Sequence, residues 1–183
     1  MQVPFGEWLP DLPDHVNPGT TEAKNVFPAA NSYRPFQDIT ATSSNALTAK
    51  CQGAKAFKSD SGVVSIFAGD ATKLYKLTTN AFVDESGGTT FSFSEDFHWD
   101  FIRFGEVVIA FNGDDAAQAW TLDSSSDFAA LGGSPPVFRH AAVVGNFVVT
   151  GYQPTAQNKV QWSAVNSATS WTAGTNQSDS ETL

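Results

Sequence analysis

The chain has 183 residues, of which 41% are hydrophobic and 16% are charged, and its formal net charge is −9. A chain of this length and apolar content can bury the core of one ordinary domain, which excludes general disorder. The acidic balance argues against general nucleic-acid binding, because neutralising phosphates requires clustered Lys and Arg. The charged fraction is below the usual ~25%, and a polar surface with few charges is common in extracellular and assembly-type β proteins.

The single cysteine, Cys51, excludes an internal disulfide and a metal site built on several thiolates. We interpret it as a small core or strand residue. The N-terminus lacks the basic and apolar regions of a signal peptide. No apolar run approaches the about 18 residues that span a membrane, so the sequence predicts no membrane anchor.

Residues 1–45 are predicted to form an extended, proline-rich arm. Six of the nine prolines fall within the first 40 residues. Because proline fixes φ and lacks a backbone donor, we expect this arm to be irregular rather than a regular strand. Its scattered apolar side chains predict a segment that docks on its own domain or on a neighbouring subunit. The candidate assembly residues are Phe5, Trp8, Leu12, Phe27, Tyr33, Arg34 and Phe36.

Residues 46–183 contain an internal repeat. Segments that begin at Gly62, Gly105 and Gly145 recur at intervals of about 40 residues. Each has an apolar strand, a polar turn and a second strand with an aromatic residue, and a further apolar stretch precedes each glycine. Each unit is therefore predicted to hold at least three strands.

A period of about 40–45 residues with several strands per unit is typical of propeller blades. The predicted fold class is all-β, with about three antiparallel β-propeller-like blades. The run VVIAF at 107–111 does not alternate, which predicts a strand buried on both faces. Closed propellers have about four to eight blades, so either the chain continues, the arm adds strands, or subunits complete each other. The polar stretch 170–183 predicts no terminal strand and favours a continuing chain.

The stretch Asn112-Gly113-Asp114-Asp115 raises the question of a binding site. Asn-Gly between apolar runs is a strong hairpin signal, and residues 69–72 and 152–155 stand at the equivalent places in the other units. The ligand spacing of a calcium loop is absent. We therefore favour a turn and leave weak cation binding at Asp114 and Asp115 open.

Ten acidic residues lie between 84 and 127, where Arg103 is the single base. This excess predicts a negative surface past which DNA moves without being held. Its candidate members are Asp96, Asp100, Glu106, Asp114 and Asp115.

Catalytic patterns are weak. The stretch 59–62 resembles the Asp-box turn of sialidases, but the aromatic residue that follows such a turn and an arginine cluster are both missing. No motif selects a carboxylate pair for glycoside hydrolysis, and the three histidines lack metal-ligand spacing. We predict no catalytic residue, no metal ligand and no cofactor, and hence not an enzyme. The tryptophans are either a ligand-stacking platform or core filling, and we favour the core for Trp99, Trp120, Trp162 and Trp171.

Several stretches together carry a family resemblance. In the arm they are Asn17-Pro18-Gly19, AKNVFPA at 23–29 and YRPF at 33–36. Further along they are FGEVVIAFNG at 104–113, Pro135-Pro136, Arg139-His140, VQWSAV at 160–165 and TSWTAGTNQSD at 169–179. With these stretches the chain resembles a group of structural proteins of tailed bacteriophages, the tail hub or nozzle of short-tailed phages.

The resemblance implies a virion tail component, made in the host cytoplasm, that forms a ring around the DNA channel and serves tail assembly and DNA ejection. It implies as partners copies of the same chain and other tail or portal-adaptor proteins, with genome DNA passing nearby unbound. Family members are usually much longer, so whether this chain forms a ring alone stays open. The alternatives are a tail propeller that binds or hydrolyses host surface glycans, and a fragment with no activity of its own.

Overall fold

The structure is a computed structural model that describes residues 6–13, 15–29, 32–36, 40–94 and 96–183. Within these ranges the regular elements are fourteen β-strands, and no helix is found. Every strand pairing is antiparallel. The predicted all-β, antiparallel class is confirmed. The chain divides into two units, Met1–Ala41 and Thr42–Leu183.

The first unit contains a hairpin where the sequence predicted no regular strand. Strand β1 (Val26–Ala29) pairs with β2 (Ser32–Pro35), and the register sets Pro28 opposite Tyr33 and Val26 opposite Pro35. The prediction of an irregular arm was wrong here. In a two-stranded sheet each strand has one side without a partner, so a proline on that side removes no ladder hydrogen bond.

In the rest of the first unit, side chains form hydrogen bonds with backbone groups. Asn17 accepts at Oδ1 from the backbone N–H of Gly19 at 2.7 Å and donates from Nδ2 to the Leu9 carbonyl at 2.8 Å. The Tyr33 hydroxyl donates to the Gly6 carbonyl at 3.1 Å. Two of these bonds join residues that are 8 and 27 positions apart in the sequence, which gives the proline-rich segment a defined path.

The second unit consists of three four-stranded sheets, each with its strands in chain order. Sheet I comprises β3 (Gly53–Lys58), β4 (Val64–Gly69), β5 (Leu74–Leu77) and β6 (Phe82–Asp84). Sheet II comprises β7 (Asp100–Phe104), β8 (Val107–Phe111), β9 (Gln118–Thr121) and β10 (Ala129–Ala130). Sheet III comprises β11 (His140–Val144), β12 (Phe147–Gln153), β13 (Ala156–Trp162) and β14 (Asp179–Thr182).

The three repeat glycines occupy the same place in each sheet. Gly62, Gly105 and Gly145 lie in the turn between the first and second strands, with φ of 93°, 58° and 57°. This left-handed region is open to glycine at no steric cost. The repeat in the sequence therefore reports a repeated hairpin turn, and each sheet adds a fourth strand.

Strand β14 corrects the prediction that the C-terminal stretch holds no strand. It pairs with β13, with Asp179 opposite Trp162 and Thr182 opposite Lys159. The Ser178 hydroxyl also donates to the Trp162 carbonyl at 2.9 Å. An edge strand tolerates charged and polar side chains, so its composition gave no apolar pattern to detect.

Two buried clusters flank sheet II. On β8, Val108 and Ala110 belong to the cluster shared with sheet I, and Ile109 and Phe111 belong to the cluster shared with sheet III. Successive residues of a strand point to opposite faces. The prediction that VVIAF is buried on both faces is confirmed.

Candidate functional site: contacts between the sheets

The contact of sheet I with sheet II is mainly aromatic. Phe67 on β4 is fully buried, with ring centroids 5.2 Å from Trp120 and 5.2 Å from Phe128. The Lys76 ammonium lies 4.7 Å from the centroid of a Trp120 ring. Large aromatic side chains bury the most apolar area per residue and favour tilted packing. We call this contact the first junction.

A charged cluster borders the first junction. The Arg103 guanidinium lies 2.6 Å from Asp60 of sheet I's first turn and 2.6 Å from Glu106, and it also donates to the Lys58 carbonyl. The Ser61 hydroxyl donates to Asp123 at 2.5 Å. The hydrogen bond from Arg103 lowers the pKa of the Asp60 carboxyl. Asp60 is largely exposed, so this cluster orients the two turns more than it stabilises the fold.

The contact of sheet II with sheet III is the second junction. Phe111 on β8 and Phe138 have ring centroids 4.9 Å apart, and Phe138 stacks on Trp171 at 6.5 Å. Val148 on β12 is fully buried in the same cluster. Both junctions thus combine side chains of the second strand of each sheet with further aromatic residues. Trp120 comes from β9, and Phe128 and Phe138 come from connecting loops.

Asp70 is a fully buried carboxylate at the end of β4. Its Oδ1 accepts from the backbone N–H groups of Thr72 and Lys73 at 2.8 and 2.9 Å and from the Thr72 hydroxyl at 3.0 Å. Its Oδ2 accepts from the hydroxyls of Thr48 and Tyr75, each at 2.9 Å, and from the Ala49 N–H at 3.1 Å. Donors surround both oxygens, which is the arrangement that a buried carboxylate requires.

These donors set the ionisation of Asp70. Burial by itself raises the pKa of the carboxyl, but hydrogen bonds from Thr72, Tyr75 and Thr48 outweigh it and hold the pKa below its usual range. The group is therefore ionised at neutral pH, and its charge stabilises the turn that joins β4 to β5.

Asn112 forms the same turn in sheet II. Its Oδ1 accepts from the N–H groups of Asp114 and Asp115 at 2.9 and 2.8 Å, and its Nδ2 donates to the Asp115 carboxylate at 2.9 Å. Asp70 is thus its structural equivalent, so residues 70–73, rather than 69–72, match 112–115. In sheet III a bulge between Gly151 and Gln153 replaces this turn.

The predicted acidic residues do not gather on one site. Asp100 begins β7 and lies 3.6 Å from the Lys55 ammonium. Asp114 and Asp115 lie at the same end of sheet II as Asp100, since Asp100 pairs with Phe111. Glu106 lies at the opposite end and pairs with Arg103. Asp96 lies in the exposed loop before β7. The sequence anticipated the acids but not the contact of Asp100 with Lys55, which is distant along the chain.

Three of the four tryptophans singled out above are core residues. Trp99, Trp120 and Trp171 are buried in the two clusters. Trp162 is half-buried, and its indole donates to the Gln177 carbonyl at 2.7 Å. Cys51 is exposed, so its interpretation as a core or strand residue was wrong. It precedes β3 and therefore lies outside the ladder.

The predicted assembly residues of the arm lie largely at the surface of the first unit. Phe5 lies outside the described residues. Tyr33 is half-buried. The exposed members are Trp8, Leu12, Phe27, Arg34 and Phe36. Phe27 and Phe36 stack on each other with centroids 4.7 Å apart.

No three His, Cys, Asp or Glu side chains in the described part of the chain are grouped so that they could hold a metal ion. None of the described elements is a helix long and apolar enough to cross a bilayer. Comparison with protein-family models and with curated proteins found no match to the chain.

Proposed function

We propose that the chain is a structural component of a bacteriophage tail, and that its three sheets are consecutive blades of a β-propeller. The observation that carries the proposal is sheet II, which is buried on one face by sheet I and on the other by sheet III. A propeller blade is a four-stranded antiparallel sheet that is covered on each face by a neighbouring blade. The strand order within each sheet supports the same interpretation.

The tail assignment rests on the stretches in the arm and the sheets that resemble hub or nozzle proteins of short-tailed phages. The exposed apolar residues of the first unit suit contacts with other tail proteins, since apolar surface that is left exposed marks interaction sites. The net charge of −9 suits a protein along which DNA passes without being held. In this role the chain offers interfaces and has no catalytic step to perform.

Antibody labelling tests the tail assignment. Antibodies raised against the purified chain are applied to intact particles of the phage that encodes it, and the particles are imaged by electron microscopy. Label confined to the tail supports the proposal. Particles that lack the chain altogether, as shown by mass spectrometry of their proteins, would overturn it.

A binding experiment tests the part of the proposal that concerns DNA. The chain should not retard duplex DNA in an electrophoretic mobility assay at low salt, where electrostatic attraction is strongest. Retention that weakens steeply as salt is added would show phosphate binding and contradict the proposed passive role.

A further inference from the structure

The first three strands of sheet III repeat on their outer face the pattern that sheet II presents to sheet III, while the fourth strand carries Asp179 where sheet II has Ala129. Sheet II packs on sheet III in the second junction through side chains that include Ile102, Phe104, Val107, Ile109, Phe111 and Ala119. The strand registers place six residues of sheet III at the equivalent positions. Taken in the same order as the residues of sheet II, they are Ala142, Val144, Phe147, Val149, Gly151 and Trp162. We call these six residues the end face of sheet III.

This end face is apolar and open. None of its six residues is charged, and Val144 is 57% exposed. The side chains of Phe147, Val149 and Trp162 are only half-buried. Of their counterparts in sheet II, Val107 and Ala119 are also half-buried, whereas Ile109, the counterpart of Val149, is fully buried. The end face of sheet III thus has the apolar pattern of an existing junction, and a following sheet could pack on it in the same way.

Sheet I has the complementary face at the other end of the stack. Opposite the side that bears Phe67 it presents Lys58 and four apolar residues, Ala54, Ala56, Val64 and Ile66, and Val64 is 60% exposed. We call these four residues the end face of sheet I. Two of its register positions match those through which sheet II contacts sheet I and sheet III contacts sheet II. Ala54 matches Phe101 and Ala141, and Ile66 matches Val108 and Val148. The small alanines leave room for the larger side chains of the end face of sheet III.

We propose that the end face of sheet III binds the end face of sheet I of a second copy of this chain, head to tail. The contact would continue the two junctions already present within the chain. A heterologous contact of this kind closes into a ring when the rotation allows it. One copy supplies three sheets and two copies supply six, which lies within the about four to eight blades of closed propellers, whereas three copies would exceed it. This inference rests on the blade architecture of the proposed function.

The test uses the purified full chain, its mass in solution and three variants. The wild-type chain should have twice the 19.5 kDa mass of one copy in analytical ultracentrifugation. Val144→Asp and Ala54→Asp should each shift the mass to that of one copy, because each places a charge in every junction between copies, at positions that match Phe104 and Phe101 of the existing junctions. The control is Val83→Asp, since Val83 is 41% exposed but lies on the face of sheet I that bears Phe67, and it should leave the mass doubled.

Mixing the two variants gives the sharper result. A pair of one Val144→Asp copy and one Ala54→Asp copy retains a single junction without an introduced charge, so the mixture should recover the doubled mass that neither variant shows alone. Circular dichroism should show unchanged β content for all variants, because the substituted side chains are exposed.

Three outcomes would overturn the proposal. The first is a wild-type chain that stays at the mass of one copy. The second is an Ala54→Asp variant that still pairs although Val144→Asp does not, and the third is a mixture of the two variants that does not pair. The second outcome would show that two copies of sheet III contact each other symmetrically. None of these bears on whether the chain occurs in phage tails, which the antibody labelling decides separately.

Discussion

Replacing Asp70 by asparagine tests the account of the buried turn in sheet I. The substitution keeps the size and shape of the side chain, so no cavity opens. An amide oxygen at the Oδ1 position can still accept from Thr72 and Lys73. The amide NH₂ at the Oδ2 position then faces the N–H of Ala49, which donates to it at 3.1 Å in the native chain.

The expected loss follows from these contacts. Hydrogen bonds to a charged group contribute about 1.5–3 kcal/mol, and leaving one buried donor unsatisfied costs about 1–3 kcal/mol. The hydroxyls of Thr48 and Tyr75 can rotate to accept from the new amide, which limits the damage. Asp70→Asn should therefore lower the free energy of unfolding by about 2–4 kcal/mol at neutral pH.

The pH dependence gives a second signature. Because the folded pKa of Asp70 is depressed, its contribution is fully present above the unfolded pKa of about 3.9 and is lost as the pH falls through the folded pKa. The difference between wild type and variant should narrow in acid below about pH 4.

Urea unfolding at neutral and acidic pH measures both effects. The matched control is Asp114→Asn, which changes an exposed carboxylate in the equivalent turn of sheet II and should shift stability by less than about 0.5 kcal/mol. An Asp70→Asn variant as stable as that control, or a loss that does not narrow in acid, would refute the role given to Asp70.

Three further predictions concern the junctions, the turns and the arm. Phe67→Ala should cost about 3–5 kcal/mol in urea unfolding and keep a single transition, because sheets I and II share that core; two separate transitions would contradict this coupling. Gly105→Ala should lower the free energy of unfolding by about 1–2 kcal/mol, because its φ is 58° and an added Cβ meets no neighbour, so the cost comes from the backbone conformation alone. The control is Gly132→Ala, which should cost less because Gly132 does not have a left-handed φ. Deleting residues 1–41 should leave the β signal of the second unit in circular dichroism unchanged, and global unfolding would show that the arm is needed for that fold.

Much of the second unit is predictable because its signals are local. The hairpins around Gly105 and Gly145 follow from adjacent apolar strands and a glycine in the turn. The double burial of VVIAF follows from its lack of alternation. The arm hairpin was missed because we took proline, which lacks a backbone donor, to exclude a strand altogether. Pro28 and Pro35 lie in a sheet of only two strands, where one side of each strand needs no donor. Strand β14 was missed because edge strands need no apolar pattern.

The polar contacts of the candidate site were not predictable for a different reason. Arg103 pairs with Asp60, and Asp70 accepts from Thr48, across separations that no local pattern encodes. The sequence alignment matched Asn112 with Gly69, whereas the structure matches it with Asp70. This error of one residue has the same origin. It becomes visible only when the strand register shows that Gly69 and Phe111 both face the first residue of the preceding strand.

Electron cryomicroscopy of the purified chain tests the central claim most directly, because it shows how many sheets are arranged around one axis. We expect a closed ring of six four-stranded sheets, contributed by two copies related by a two-fold axis through the ring. An open stack of three sheets in a single copy, or sheets that do not pack face to face, would contradict it.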